Sequence, residues 1–285
     1  MKKYVILYNP KSGNGSGGEV VGKLDALISE EKEFIDITTV TNYGPIFAKL
    51  GEEDVLMICG GDGTLNYFIN DAGDTLPDND IMFMSTGTGN DFVHDIGKEP
   101  GEPVKINEYL VGLPEVTVNG MKRKFLNGIG YGIDGYCCEV GDKMRETTDK
   151  PIDYTSIAIK GLLFYYKRTN AKVTVDGVTK EYKKVWLAPT MNGRYYGGGM
   201  MPTPGQDRKN NGTVSTMVMY GSGKIRTLMV FPSIFKGEHV KHKKMVDVFT
   251  GKEVRVEFDS PTALQIDGET VLGVTEYTVR TKDAK

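Results

Sequence analysis

Val55-Leu56-Met57-Ile58-Cys59-Gly60-Gly61-Asp62-Gly63-Thr64-Leu65-Asn66 is an unbroken apolar run that gives way to glycine and then resumes a helical pattern. Apolar residues at consecutive positions belong to a strand covered on both faces, as in a parallel sheet flanked by helices. Glycine at three of the five positions 60–64 lets backbone N–H groups close on phosphate oxygens with no Cβ in the way. A helix starting near Leu65 turns its positive end to the same place. Asp62 is then out of keeping, because a carboxylate repels phosphate unless a cation stands between them. Mg2+, bound directly or through water, meets that need. The alternative is a tight strand-to-helix turn in which Asp62 serves as a helix cap.

The same theme recurs on either side. Upstream, Val5-Ile6-Leu7-Tyr8 leads into Asn9-Pro10-Lys11-Ser12-Gly13-Asn14-Gly15; downstream, Ile81 to Met84 leads into Ser85-Thr86-Gly87-Thr88-Gly89-Asn90-Asp91-Phe92. Ligands of such sheets bind at the loops beyond the carboxyl ends of the strands, where all three glycine loops fall. The first loop lacks the Gly-Lys-Ser/Thr of a Walker A sequence. After about residue 116 the texture changes to short strands and turns. Asp176-Gly177, Asn211-Gly212 and Asp267-Gly268 each separate extended runs, and Val254, Val256 and Phe258 alternate with Arg255 and Glu257. The expected architecture is an α/β domain over 1–118, a parallel sheet with flanking helices, followed by a mostly antiparallel β-rich domain over 119–275. Two helices near 153–168 and 223–236 interrupt the second domain, and the final strand near 275–285 is offered as a return to the first.

The 285 residues are 39% hydrophobic and 26% charged with a net charge of -3, an ordinary globular composition that gives no reason to expect a nucleic-acid partner. Cys59, Cys137 and Cys138 suit neither a disulfide framework nor a zinc site. The apolar segment Tyr4 to Tyr8 is too short for a secretory signal, and no stretch reaches membrane-spanning length. A cytoplasmic protein is expected, peripheral to the inner face of the cell membrane at most. Two apolar-basic segments, Ile157 to Arg168 and Phe231 to Lys244, are candidates for that contact or else core helices with solvated basic faces. Gly130-Tyr131-Gly132-Ile133-Asp134-Gly135 fits G-x-G-x-x-G but sits mid-chain without the following acidic strand, so a dinucleotide site is not expected there. His94, His239 and His242 read as surface residues.

Gly60-Gly61-Asp62-Gly63-Thr64 after an apolar strand resembles the signature of the diacylglycerol kinase catalytic-domain family, which includes bacterial lipid kinases, sphingosine and ceramide kinases and, more distantly, NAD kinases. Asn9-Pro10-Lys11-Ser12-Gly13, Gly87-Thr88-Gly89-Asn90-Asp91-Phe92 and Asp267-Gly268-Glu269 are similar to three further segments of the lipid-kinase branch, in the family's order. The resemblance implies a two-domain kinase with its active site between the domains, using ATP and Mg2+ to phosphorylate a lipid hydroxyl. It implies nucleotide contacts from Asn9, Lys11, Ser12 and Thr41. The glycine loops would add Gly60, Gly61, Asp62, Gly63, Thr64, Asn66, Thr88 and Asn90. By the same resemblance Asp62 and Asp91 join the metal network, and Asp267, supported by Glu269, is the general base. Read from residues alone, Asp267-Gly268 is an ordinary hairpin turn.

Two departures stand against the family pattern. Thr117 occupies the place of an aspartate of the metal network, and Asn211 replaces a carboxylate of a second, structural magnesium site, which is therefore not expected. The partner implied is a lipid at a membrane surface, with a homodimer left open. The alternatives are an NAD kinase or a catalytically silent nucleotide- or lipid-binding protein on the same fold.

Overall fold

A computed structural model describes residues 2–13, 17–148, 152–209 and 212–282. Asn14 and Gly15 of the first glycine loop, and Asn211, lie outside the described residues. The chain divides into two units, Met1–Val111 and Gly112–Lys285, so the boundary precedes the expected one at 118.

In the first unit β1 (Lys3–Tyr8), α1 (Gly17–Leu27), β2 (Glu31–Asp36), α2 (Gly44–Phe47) and β3 (Val55–Gly60) come first. Then follow α3 (Asp62–Ala72), β4 (Asp80–Ser85), α4 (Asp91–Asp95), β5 (Val104–Lys105) and α5 (Asn107–Leu110). The sheet order is β2-β1-β3-β4-β5. All neighbours are parallel except β4 and β5. Every residue of β3 is buried, which is why its sequence is apolar without alternation. Ile6, Met57, Cys59 and Met84 pack from three strands against Leu24 of α1. Parallel pairing puts the exits of β1, β3 and β4 side by side, so three loops distant in sequence become neighbours.

The second unit opens with β6 (Glu115–Val118), β7 (Met121–Lys124), β8 (Gly128–Tyr131), α6 (Ile133–Arg145) and α7 (Tyr154–Lys160), which runs into a π-helical turn, Gly161–Tyr165. There follow β9 (Thr169–Val175), β10 (Val178–Val185), β11 (Thr190–Met191), β12 (Val214–Met219) and α8 (Lys224–Val230), continued by a 3-10 turn, Phe231–Lys236. β13 (Val246–Gly251), β14 (Glu253–Ile266) and β15 (Glu269–Arg280) complete it. These strands form one ten-stranded sheet with the path β13-β12-β11-β8-β14-β15-β6-β7, while β9 joins β10 to β14. Every pairing in it is antiparallel. The alternation read in β14 is real, with Val254, Val256 and Phe258 buried in the core.

Two expectations need correction. The final strand does not return to the first sheet: β15 pairs with β14 and β6, both in the second. His239 is not a surface residue but fully buried, its Nε2 2.9 Å from the Pro202 carbonyl oxygen. It sits in a one-turn segment too short to show which face is covered. Thr117 is exposed on β6, opposite Thr278 and Lys122. The G-x-G-x-x-G stretch does run from β8 into α6, yet each glycine answers to packing. A Cβ on Gly130 would overlap the Asp134 carboxylate, one on Gly132 the Trp186 carbonyl, and one on Gly135 the Ala263 carbonyl. No helix among the described residues is long and apolar enough to cross a membrane.

Candidate active site

The three glycine loops of the first unit are tied together by side chains that sequence reading assigned to phosphate. Asn9 Nδ2 donates to Thr64 Oγ1 at 2.9 Å, and the Asn9 Oδ1 accepts from the Lys11 N–H at 2.9 Å. Ser12 Oγ lies 2.7 Å from Thr86 Oγ1, and the Thr86 N–H donates to the Gly60 carbonyl at 2.8 Å. Asp62 opens α3 but caps a different helix. Its two carboxylate oxygens accept from the N–H groups of Asp91 and Phe92, at 3.1 and 3.0 Å, at the start of α4. The anomaly of a carboxylate in a phosphate loop therefore has a structural side: Asp62 satisfies amides that a helix start leaves without partners.

The glycines divide by what surrounds them. A Cβ on Gly60 would stand 2.5 Å from the Thr64 Cβ, and one on Gly87 would stand 2.8 Å from the Gly61 Cα. Gly60 is glycine because its own loop turns back onto it at Thr64, and Gly87 because two loops touch. Beyond its own helix backbone and chain neighbours, Gly63 has no atom of the described residues within 4 Å of where its Cβ would be. Nothing among the described residues explains its missing side chain, which leaves a backbone free to meet a ligand.

Of the remaining residues, Thr64 and Asn66 are buried, whereas Lys11 and Thr88 are exposed. Thr41 is exposed in the bend after β2 and makes no hydrogen bond to the glycine loops among the described residues. Asn90 holds a left-handed backbone, φ 53°, ahead of α4, and its buried Oδ1 has no hydrogen-bond partner. Asp91 beside it is 5% exposed. The oxygens gathered here, from Asp62, Asn90 and Asp91, are the donors a hard cation takes. Among the described residues no three His, Cys, Asp or Glu side chains group to hold an ion.

In the second unit Asp267 and Gly268 form the β14–β15 turn, with φ 46° and 95°. Two left-handed residues in succession make the turn whose twist fits a hairpin, and Asp-Gly is suited to it. The Asp267 carboxylate reaches across to the segment entering β8. Oδ2 accepts from the Leu126 N–H, and Oδ1 from the N–H groups of Asn127 and Gly128, both at 2.9 Å. Leu126 and Asn127 are held from the other side by Arg208, which donates to the Leu126 carbonyl and, at 2.9 Å, to Asn127 Oδ1. Asn192 donates to the same carbonyl, and Gln206 to the Asn192 carbonyl. All four side chains are buried. Sequence reading missed this support entirely, since residues 127, 192, 206 and 208 share no local motif. Glu269 pairs with Arg123 of β7 rather than with Asp267. Burial raises its pKa, and its Oε1 has no hydrogen-bond partner.

Asp134, which lies in the discounted G-x-G-x-x-G stretch, is linked to the same turn. Gln265 Nε2 donates to its carboxylate at 2.9 Å, while Gln265 Oε1 accepts from the Gly268 N–H at 2.6 Å. Burial pushes Asp134 up to about 6, offset in part by the Gln265 amide and the Tyr196 hydroxyl.

Residues 3–121 match the protein-family model of the diacylglycerol kinase catalytic domain, and residues 127–282 match that of the YegS C-terminal NAD kinase beta sandwich-like domain. A diacylglycerol kinase of Mycobacterium tuberculosis is 25% identical over 271 residues, covering 90% of this chain and 85% of that protein. A solved structure titled a diacylglycerol kinase, from Bacillus anthracis str. Sterne, superposes with a TM-score of 0.60 at 20% identity, covering 98% of this chain and 93% of that one. A second structure from that organism gives 0.66 at 19% identity over 98% and 92%. At such identity the structural likeness speaks for the fold, and the two family matches, which together run through both units, speak for descent. The chain belongs to the lipid-kinase family built from a diacylglycerol kinase catalytic domain and a YegS-type C-terminal domain.

Proposed function

We propose that this protein transfers the γ-phosphoryl group of ATP, as its Mg2+ complex, to the hydroxyl of diacylglycerol or a related lipid. The observation that carries the reading is Gly63: of the glycines in its motif it has open space around the missing Cβ, between loops otherwise locked to one another. Backbone N–H groups there, with the start of α3 behind them, bind and orient the phosphates. Lys11 and Thr88, exposed on the flanking loops, add a charge and a hydroxyl. Asp62, Asn90 and Asp91 would hold the metal, directly or through water, and Mg2+ when bound neutralises charge on the β- and γ-phosphoryl oxygens.

Asp267 orients the acceptor hydroxyl and takes its proton. Its turn is fixed by three backbone donors and by Gln265, which meets the demand that a general base keep its place within fractions of an ångström. Glu269, paired with Arg123, supports the turn from β15. Such a reaction is in-line displacement helped by positioning and charge rather than by covalent intermediates.

The test is one assay: purified protein, radiolabelled ATP, Mg2+ and a panel of acceptors comprising diacylglycerol, other lipid alcohols in mixed micelles, and NAD. Label is expected in a lipid phosphate and not in NADP. Efficient labelling of NADP would move the protein to the NAD kinase branch. MgATP binding with no labelled product from any acceptor would make it a silent binder.

A further inference from the structure

α7 with its π-helical turn and α8 with its 3-10 continuation pack against each other in the second unit. Lys224 Nζ donates to the Leu163 carbonyl at 2.7 Å, and Ile157, Leu162, Val230 and Ile234 share one core cluster. With those residues inward, the opposite faces ought to be polar. They are not. Phe164 is 71% exposed, Tyr165 66%, Ile225 73% and Met229 70%. Ile225 and Met229 stand four residues apart on one face of α8, one turn above the other. Phe235, in the turn that follows, is 48% exposed. Large apolar side chains rarely gather in the open without something to cover them.

The charges within the two segments have one sign. Residues 154–168 contain Lys160, Lys167 and Arg168, and residues 223–237 contain Lys224, Arg226 and Lys236, with no Asp or Glu in either stretch. The acids just outside are occupied locally: Asp153 caps α7 through Ser156, and Glu238 pairs with Lys241. On α6, which packs against α7 and its turn, Glu139 and Asp142 are paired with Lys143 and Arg145 of the same helix. An exposed apolar face whose own segments carry lysine and arginine as their charges is the pattern of a helix that lies in a membrane interface.

We infer that the face formed by Phe164, Tyr165, Ile225 and Met229, edged by Lys160, Arg226 and Lys236, docks on an anionic lipid bilayer. The apolar side chains enter the acyl boundary while the basic ones stay among the headgroups. A second copy of this chain, or an ordinary protein partner, would not call for one sign of charge on both segments. The inference rests on the proposed function in that it brings the kinase to a bilayer-borne acceptor, but its test needs no catalysis.

The experiment is cosedimentation of the full chain with phosphatidylglycerol–phosphatidylcholine vesicles and with pure phosphatidylcholine vesicles. The wild type is expected to bind the anionic vesicles preferentially and to lose that preference in high salt. Phe164→Ser/Ile225→Ser/Met229→Ser and Lys160→Glu/Arg226→Glu/Lys236→Glu should each weaken binding by about tenfold or more. Unfolding midpoints are measured alongside, and Ile225→Ser alone, well outside the Thr227–Val230–Ile234 stripe, serves if the apolar triple variant fails to fold. Three results overturn the inference: a wild type indifferent to anionic vesicles, folded variants that bind like wild type, or an apolar variant that loses self-association while vesicle binding stays. If vesicle binding behaves as expected but no lipid is phosphorylated, the proposed function fails and the docking face stands.

Discussion

The loops of the first unit and the acidic turn of the second are built on opposite plans. Around Asp62 the sequence is dense with glycine, the partners are backbone and hydroxyl groups of adjacent strand exits, and the side chains belong to motifs visible along the chain. Around Asp267 the turn itself has one glycine, and its carboxylate meets the backbone N–H groups of residues 126–128, which are held in turn by the buried Asn192 and Arg208, far off in sequence. Yet in both places the carboxylate assigned to chemistry first satisfies backbone N–H groups. A turn or cap and the proposed catalytic role are not competing descriptions here; the amides that hold the carboxylate would also aim it. What separates structure from chemistry is the excess of position over need, and that excess can be measured.

The largest expected effect is at Asp267. Asp267→Asn fits the left-handed turn, because asparagine tolerates that backbone. It puts an NH2 where an oxygen received a backbone N–H, so some 1–3 kcal/mol of stability should go as well. If Asp267 is the base, turnover on lipid should fall by about 10²–10⁴. The comparison breaks if turnover, measured well below the variant's unfolding midpoint, equals wild type. Asp267 would then be a clasp only, and the second unit would contribute no base.

These two plans also explain what could be read beforehand. β3, continuous and apolar, declared a strand covered on both faces, and the glycine loops followed from it. The hairpin at Asp267-Gly268 was legible because two left-handed residues have few sequence solutions. The Arg208–Asn127–Asn192 support was not, since nothing local marks residues that meet only after β8 and β11 are paired. The course of β15 was not legible for a related reason: alternation says that a strand is half-buried, never which sheet it joins. Thr41 was carried by resemblance alone, and the loop ties do not include it.

A smaller effect separates the regions by pH. Asp134, behind the Asp267 turn, is raised from an ordinary 3.8 to about 6, chiefly by burial. An acid whose folded value lies above its unfolded value binds its proton more tightly when folded. Its contribution is fully present below the unfolded value and is lost as the pH rises to about 6. Ionised Asp134 therefore costs the second unit roughly 3 kcal/mol near neutrality. Asp134→Asn keeps an oxygen for the Gln265 amide and removes the charge. It should flatten that decline and raise the neutral-pH unfolding midpoint. Parallel stability curves for variant and wild type between pH 4 and 7 would remove Asp134 from the account.

The smallest effect tests the first unit's plan most directly, because it sets two glycines of one site against each other. Gly87→Ala must push against the Gly61 backbone, 2.8 Å away, and cannot do so by turning a side chain. Overpacking of that kind costs about 1–3 kcal/mol and parts the two loops. Any loss of nucleotide affinity in that variant is therefore ambiguous. Gly63→Ala is not. Beyond its own helix backbone and chain neighbours, no other described residue comes within 4 Å of the new methyl, and the residue is in the first turn of α3. Replacing a helical glycine by alanine should stabilise the fold by up to about 0.5–1 kcal/mol. A methyl in a phosphate cradle should at the same time weaken binding of a non-hydrolysable ATP analogue, read by titration calorimetry. Higher stability with lower affinity is an outcome that damage to the fold cannot imitate. Higher stability with unchanged affinity would mean that phosphate does not approach Gly63, and the glycine would be left without an explanation in either packing or function.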